Sequence, residues 1–359
     1  MTYRVIQWAT GGVGQSAIAA IAAHPELELA GCWVHSAAKH GADAGDLAGI
    51  GPLGVAASTD LDELLALTAD CVVYAPLVPD AAVVAALLRS GKNVVTPVGW
   101  IYPDPARVAD IDAACQAGGV TLHGTGIHPG GITERFPLML SALSSAVTHV
   151  RAEEFSDLRT YNAPDVIRHV MGFGGTAEAA LASPMAAMLG SGFKASVRMI
   201  VAAMGFGSGG KVHTAQEVAV ASAPIESPIG VIQPGQVAAR RFRWQAMVAG
   251  QPVVTAAVNW LMGEENLDPP WTFGPGGHRF EIALTGDPSM LVTFTGLHPA
   301  SVADGLIRNP GVVATANHCV SAIPYVCQAP PGIRTYLDLP LIAGRSAASV
   351  GRAAESEAA

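Results

Sequence analysis

Over the first 147 residues, short β-branched apolar runs alternate with Ala- and Leu-rich stretches of helical spacing. The runs are Tyr3 to Trp8, Leu27 to His35, Cys71 to Ala75, Asn93 to Pro97 and Val120 to Gly124, with helices predicted over Asp80 to Ser90 and Pro105 to Ala117. Several runs are almost wholly apolar, as strands covered on both faces should be. Such alternation predicts repeated βαβ units over a parallel sheet. Beyond Val147 the period becomes two. Gln236 to Ala249 and Gln251 to Met262 alternate about Gly250, predicting a β-hairpin. Arg279 to Thr285 and Leu291 to Gly296 predict two further strands around the turn Gly286-Asp287-Pro288. Helices are predicted over Ala177 to Leu189 and Phe193 to Met204, and another after Asn309-Pro310 that runs to Ile323 and breaks at Pro324.

The fold class that follows is α/β. Residues 1–147 form a Rossmann-type parallel-sheet domain for a dinucleotide, and residues 148–300 an α+β substrate domain with a mainly antiparallel sheet. Residues 301–346, including Thr335 to Leu341, are expected to supply a C-terminal helix and a segment packing back on the first domain. Residues 347–359 lack apolar periodicity and are expected to be a disordered tail.

Length and charge narrow the function. The 359 residues suffice for two domains. No stretch reaches the roughly 18 uninterrupted apolar residues of a membrane span, and the N-terminus enters a strand without the features of an export signal. Five cysteines without a CxxC pair predict reduced thiols, and a cytoplasmic protein is expected. A formal charge of −9 without a Lys/Arg run argues against nucleic acid. Arg240, Arg241 and Arg243, the densest basic spot, are read as a solvated strand face. Motifs for metal hydrolysis, calcium binding, serine hydrolysis and P-loop chemistry are missing, so no metal is expected.

The chemistry begins at Ala9-Thr10-Gly11-Gly12-Val13-Gly14, a GxGxxG pattern with Ala in first place, directly after a strand and opening a helix. That context lets backbone N–H groups and a helix dipole hold a pyrophosphate. Near the end of the second strand no acid stands ready for ribose hydroxyls. His35-Ser36-Ala37-Ala38-Lys39 instead offers a hydroxyl and a cation, which favours NADP(H), with NAD(H) as the alternative. Expected cofactor contacts are Thr10, Gly11, Gly12, Val13, Gly14, Ser36 and Lys39, together with Ala75, Pro76, Thr96 and Gly126 in later strand-end loops.

His128, in the Gly/Pro-rich loop leaving the nucleotide domain, is either a proton donor beside the nicotinamide or a pin for the crossing loop. Tyr161 is a second candidate donor. Trp100, Tyr102, His169 and Met171 are candidate pocket residues for a small, mainly apolar substrate. For the aromatic and apolar ones, a place in the core is the competing reading.

Tyr3 to Ala17, Gly124 to Gly130 and the closing Ala322-Ile323-Pro324 and Leu339-Pro340-Leu341 resemble the dihydrodipicolinate reductase-like proteins, most closely the 2,4-diaminopentanoate dehydrogenase and native amine dehydrogenase group. The resemblance implies NAD(P)-dependent interconversion of an amine with a ketone and ammonia, and an α+β domain that also makes a homodimer. Relatives with amine activity carry a carboxylate shortly before the Tyr-Pro that matches Tyr102-Pro103. This chain has Val98-Gly99-Trp100 there, and His128 where relatives commonly have Asn. Direct reduction of a carbonyl, imine or activated double bond therefore stands beside amine chemistry, and a nonenzymatic NADP(H)-binding sensor or scaffold is the rival from another class.

Overall fold

The structure is a computed structural model and describes residues 2–207 and 210–346, so the expected tail from Ala347 lies outside the described residues. The chain begins with β1 (Tyr3–Trp8), α1 (Gly12–Ala23), β2 (Leu27–Trp33), α2 (Ala44–Leu47), β3 (Ala57–Ser58), α3 (Leu61–Ala66), β4 (Cys71–Tyr74), α4 (Ala81–Arg89), β5 (Asn93–Thr96), α5 (Ala109–Gly118) and β6 (Thr121–Gly124). Next come α6 (Phe136–Ser141), β7 (Ser145–Asp157), α7 (Ala177–Ala182), α8 (Met185–Met204), β8 (Val212–Ala221), β9 (Ile225–Ser227), β10 (Gly230–Ile232), β11 (Val237–Val248) and β12 (Gln251–Leu261). The last elements are β13 (Leu267–Asp268), β14 (Arg279–Asp287), β15 (Met290–Phe294), α9 (Val302–Ile307), α10 (Pro310–Cys327) and β16 (Gly332–Ile333). They divide into two compact units, one made of the chain up to Gly126 and again from Val312, the other of Ile127–Gly311.

In the first unit a parallel sheet runs in the order β16-β6-β5-β4-β1-β2-β3. Alternate strand residues serve two cores. Val5, Val73 and Val95 pack with Ile18 and Ile21 of α1 and with Val320 and Ile323 of α10. Ile6, Val72, Val94 and Leu122 pack with Leu87, Leu88, Ile111 and Cys115 of α4 and α5. Both faces are thus dry, which explains the unbroken apolar runs.

The sequence-based boundary at Val147 falls too late. The chain leaves the first unit at Gly126, because Ile132, Phe136, Leu138 and Val150 pack into the core of the second. Residues 301–311 likewise stay with the second unit, where α9 lies against the turn at Leu158–Thr160, and the return to the first starts inside α10. Nor does α10 break at Pro324: it runs on to Cys327. Cys319, Ile323 and Val326 are buried, and that burial outweighs the backbone hydrogen bond a proline removes.

In the second unit the sheet order is β13-β8-β11-β12-β7-β14-β15, antiparallel except for the β7–β12 pair. The helix α8 packs on one face, with Phe193 stacked on Trp244 at 4.3 Å and Val197 and Ile200 in the same core. By length and composition α8 is apolar enough to cross a membrane, yet Phe193, Val197, Met199 and Ile200 are buried in this core. The two predicted helices of this stretch divide at Pro184, and α8 runs straight through Gly190 and Gly192. Both glycines mark close approach: a Cβ on Gly190 would lie 2.9 Å from Trp244 Nε1, and one on Gly192 2.9 Å from Pro129.

The arginine triplet needs correction as well. Arg241 and Arg243 share the partly exposed face with Glu217, but Arg240 points the other way and is wholly buried. Successive strand residues face opposite sides of a sheet, so one of any adjacent pair must turn inward.

Candidate active site

In the first unit, the parallel strands bring the loops after β1, β2, β4, β5 and β6 to one sheet edge. The turn after β1 is tight. Ala9 has a left-handed φ of 71°, and a Cβ on Gly14 would stand 2.0 Å from the Ala9 carbonyl oxygen, so only glycine lets α1 start this close to the strand. At Gly11 a Cβ would meet no protein atom within 4 Å.

The helix α1 opens at Gly12 with no side-chain cap and no acid in its first turn. Gly11 and Gly12 are exposed, so the first N–H groups face solvent at the positive end of the helix dipole. N–H groups arranged in this way could hold a pyrophosphate. Lys39 folds onto the same loop, its Nζ 3.1 Å from Thr10 Oγ1, while Ser36 is exposed beside it. No carboxylate stands between Trp33 and Lys39.

The other expected cofactor residues lie along this edge. Ala75 N–H donates to the Trp8 carbonyl, and the buried Thr96 uses its Oγ1 to accept from Val98 N–H and its carbonyl to accept from Thr125 N–H. Gly126 closes the unit with φ 137°. Trp100, expected in a pocket, packs on the core around Ile6 and Trp8, and Tyr102 is half-buried nearby in sequence.

In the second unit, His128 has both ring nitrogens engaged. Its Nε2–H donates to the Ala257 carbonyl at 3.1 Å, and Nδ1 accepts from Thr133 Oγ1 at 2.8 Å, with Phe193 and Phe280 against the ring. Burial lowers its pKa to about 4, the Ala257 hydrogen bond opposing in part. A neutral imidazole whose only N–H is held by a backbone carbonyl favours the loop-pin alternative over the proton donor.

Glu134 ties the same loop from within. Its Oε2 accepts from Gly130 N–H at 2.6 Å and its Oε1 from Ser196 Oγ at 2.5 Å, and complete burial raises its pKa to about 8. The folded state therefore holds a proton that the unfolded chain releases near pH 4.5. Stability must fall as pH rises through that window. His128 and His298, both lowered to about 4, act with the opposite sign only below their ordinary 6.5. Between pH 6.5 and 8 the Glu134 slope stands clear of them, at up to about 1.4 kcal/mol per pH unit. Urea denaturation across that range should show declining stability, and Glu134→Gln should remove at least half of the slope; an unchanged slope would refute the assignment.

A constellation not foreseen from the sequence lies on the helix-bearing face of the second sheet. Glu154 Oε1 accepts from Ser156 Oγ at 2.6 Å and from Trp260 Nε1 at 3.0 Å. Ser156 Oγ is 2.9 Å from His298 Nε2, and His298 stacks on Phe280 at 4.9 Å. Burial raises the Glu154 pKa, against the two hydrogen bonds. Tyr161 belongs to this group: burial and then the Glu154 charge raise its phenol pKa. Of the remaining candidates, His169 is exposed, and Met171 packs on the core while its carbonyl accepts from Arg240 Nη1 at 2.7 Å.

A signal for Glu154 did exist. In Val150-Arg151-Ala152-Glu153-Glu154 a period of two sets the second acid on the same face as Val150 and Ala152, and an acid on an apolar strand face is the exception worth pursuing. His298, in the loop after β15, had no such signal.

The model of the dihydrodipicolinate reductase N-terminus matches residues 5–99, and that of the 2,4-diaminopentanoate dehydrogenase C-terminal domain matches residues 132–269. An amine dehydrogenase of Streptomyces virginiae is 32% identical over 355 residues, covering 94% of this chain and 96% of its own. The chain belongs to the amine dehydrogenase family. It is an NAD(P)-dependent oxidoreductase with a small-molecule substrate. A second relative, the 2,4-diaminopentanoate dehydrogenase of Acetoanaerobium sticklandii, is 25% identical over 71% of this chain and 66% of its own. Among solved structures, the amine dehydrogenase from Mycobacterium smegmatis shares the fold at a TM-score of 0.75 and 22% identity, covering 96% of this chain and 98% of that one. The stretch Val98-Gly99-Trp100 before Tyr102-Pro103 carries no carboxylate in this chain.

Proposed function

We propose that this member of the family is an NADPH-preferring enzyme that interconverts a small, mainly apolar ketone or aldehyde plus ammonia with the primary amine. End-to-end similarity to an amine dehydrogenase is the observation that carries this reading. The reaction balances as carbonyl plus ammonia plus NADPH plus a proton, giving amine, NADP⁺ and water. When bound, the dinucleotide supplies the hydride through its nicotinamide ring.

The residues of the first unit bind and orient the cofactor. The uncapped N–H groups at Gly12 and Val13 take the pyrophosphate, Gly11 leaves room for it, and Lys39 and Ser36 take the ribose 2′-phosphate. In the second unit, His128 holds the crossing loop and Tyr161 is a proton-bearing group of the substrate site. The protein works as a homodimer in the cytoplasm; its five free thiols fit a reducing compartment.

The test is oxidation of NADPH and NADH by pentan-2-one and other compact carbonyl compounds, with and without ammonium chloride. Ammonium-dependent turnover with NADPH is expected. Lys39→Ala should raise the KM for NADPH by about tenfold or more, one lost phosphate ion pair, while changing that for NADH little. Ammonium-independent turnover would replace the reading by carbonyl reduction, and tight cofactor binding without turnover would replace it by a sensor.

A further inference from the structure

The Glu154 constellation has three features that a purely structural hydrogen-bond group would not combine. The first is asymmetry. Both donors, Ser156 Oγ and Trp260 Nε1, converge on Oε1, and among the described residues nothing donates to Oε2 of this half-buried side chain. Glu134, whose role is structural, has a donor on each oxygen.

The second is an orphan nitrogen. The Ser156 hydrogen goes to Glu154, so His298 Nε2–H donates to Ser156 and Nδ1 is left as an acceptor, sealed from solvent and without a partner. A buried acceptor without a partner destabilises the fold. A packing role alone gives no return on that cost, whereas a chain of exchangeable protons from His298 through Ser156 to Glu154 does.

The third is the setting. Phe280 and Trp260 are buried and Tyr161 is half-buried, which suits an apolar carbonyl compound, and an ion pair formed there meets little competing water.

We propose that Glu154 is the acid–base residue of the amine reaction, binding the substrate nitrogen through Oε2 and standing in for the carboxylate missing at Val98-Gly99-Trp100. Ser156 and His298 are its positioning residues. The assignment rests on the amine dehydrogenase reading above. Ammonia adds to the carbonyl carbon to give a carbinolamine. The Glu154 carboxylic acid then protonates the departing hydroxyl as its C–O bond breaks, water leaves, and the carboxylate formed pairs with the iminium N–H. Hydride arrives at the iminium carbon, the neutral amine departs, and Glu154 regains its proton from solvent. A carboxyl group set among buried aromatic side chains, with one oxygen held by two donors and the other open to the substrate, fits the dehydration step as its acid, and its conversion to carboxylate fits the cation that follows.

The experiment compares wild type with Glu154→Gln, Glu154→Asp, Ser156→Ala and His298→Gln, each checked for unchanged NADPH affinity as evidence of folding. With pentan-2-one, ammonium chloride and NADPH, Glu154→Gln should lower kcat by about 100-fold or more, the usual scale for a lost general acid, and Glu154→Asp should restore part of it. The titratable groups around Glu154 are Tyr161 and His298, with His278 behind the latter. Ser156→Ala removes a hydrogen bond that favours the carboxylate, so the alkaline limb of the kcat profile should move to higher pH. His298→Gln should shift the same limb rather than merely scale the rate.

A second readout needs no turnover. Calorimetric binding of 2-aminopentane to the protein with NADP⁺ should weaken at least tenfold in Glu154→Gln. Equal amine affinity in wild type and Glu154→Gln, or a kcat within threefold of wild type, overturns the assignment. A wild type that turns over carbonyl compounds only without ammonium, yet loses that rate in Glu154→Gln, overturns the amine reading and leaves Glu154 as the acid.

Discussion

Gly14→Ala should abolish measurable dinucleotide binding and destabilise the first unit by about 3 kcal/mol or more. The added methyl would sit 2.0 Å from the Ala9 carbonyl oxygen and 2.9 Å from its carbon, both backbone atoms of a turn already at φ 71°. The start of α1 would have to move away from β1, loosening the core in which Ile18 and Ile21 are wholly buried beside Val5. Overpacking of a close-packed interior costs about 1–3 kcal/mol even when side chains can adjust, and backbone adjusts less. Calorimetric titration with NADPH and thermal unfolding read the two effects. Gly11→Ala separates them: its Cβ meets no protein atom, so it should fold like wild type and still lose cofactor affinity, because the methyl would occupy the pyrophosphate's place. Normal NADPH affinity in Gly14→Ala would mean that the loop does not hold the cofactor.

Arg240→Met should destabilise the second unit by about 3 kcal/mol. The guanidinium is wholly buried, desolvation pulls its pKa down to about 10, and its bonds go to uncharged acceptors. These are the carbonyls of Met171 and Ala180, each at 2.7 Å, and Gln216 Oε1 at 3.2 Å. Through them one side chain ties β11 to the turn before α7, to α7 itself and to β8. Methionine keeps most of the apolar stem but supplies no donor, which leaves the Met171 carbonyl and Gln216 Oε1 without this partner and the Ala180 carbonyl with only Ser183 N–H at 3.3 Å, at about 1–3 kcal/mol for each acceptor left unpaired. Against that stands the relief of no longer burying a cation, which in some proteins is the larger effect. Chemical denaturation decides between them. A variant as stable as wild type would show that the cation's burial costs as much as its bonds return.

How much of this was legible depends on how far each residue's partner lies along the chain. The first parallel strands could be read because burial on both faces imprints on local composition, and the β1–α1 turn because Gly14 sits at a fixed offset from a strand end. The Gly250 hairpin could be read because period two and its turn are also local. Features set by distant packing were not. Gly190 and Gly192 look like a helix interruption in sequence and prove to be contact points for Trp244 and Pro129. Pro324 looks like a stop, yet its helix continues because its neighbours are needed in the core. The chain leaves the first unit at Gly126 rather than Val147 because the residues between pack on strands that follow much later. In the site, Lys39 and the glycine loop were accessible to local reading. Glu154 was accessible only in part, and the link from Glu154 to His298 spans a sequence separation that no local pattern encodes.

The division of the first unit between the two ends of the chain bears on its biosynthesis. Its parallel sheet lacks β16, and its core lacks Ala316, Cys319, Val320, Ile323, Val326 and Leu339, until synthesis has passed the whole of the second unit. The second unit is one continuous stretch that leaves the ribosome earlier. Domains fold as units during synthesis, so the order of maturation should invert the order of translation. The inserted unit consolidates first, while the N-terminal βαβ repeats wait, with Val5, Ile18 and Val73 incompletely covered, for the C-terminal helix to close over them.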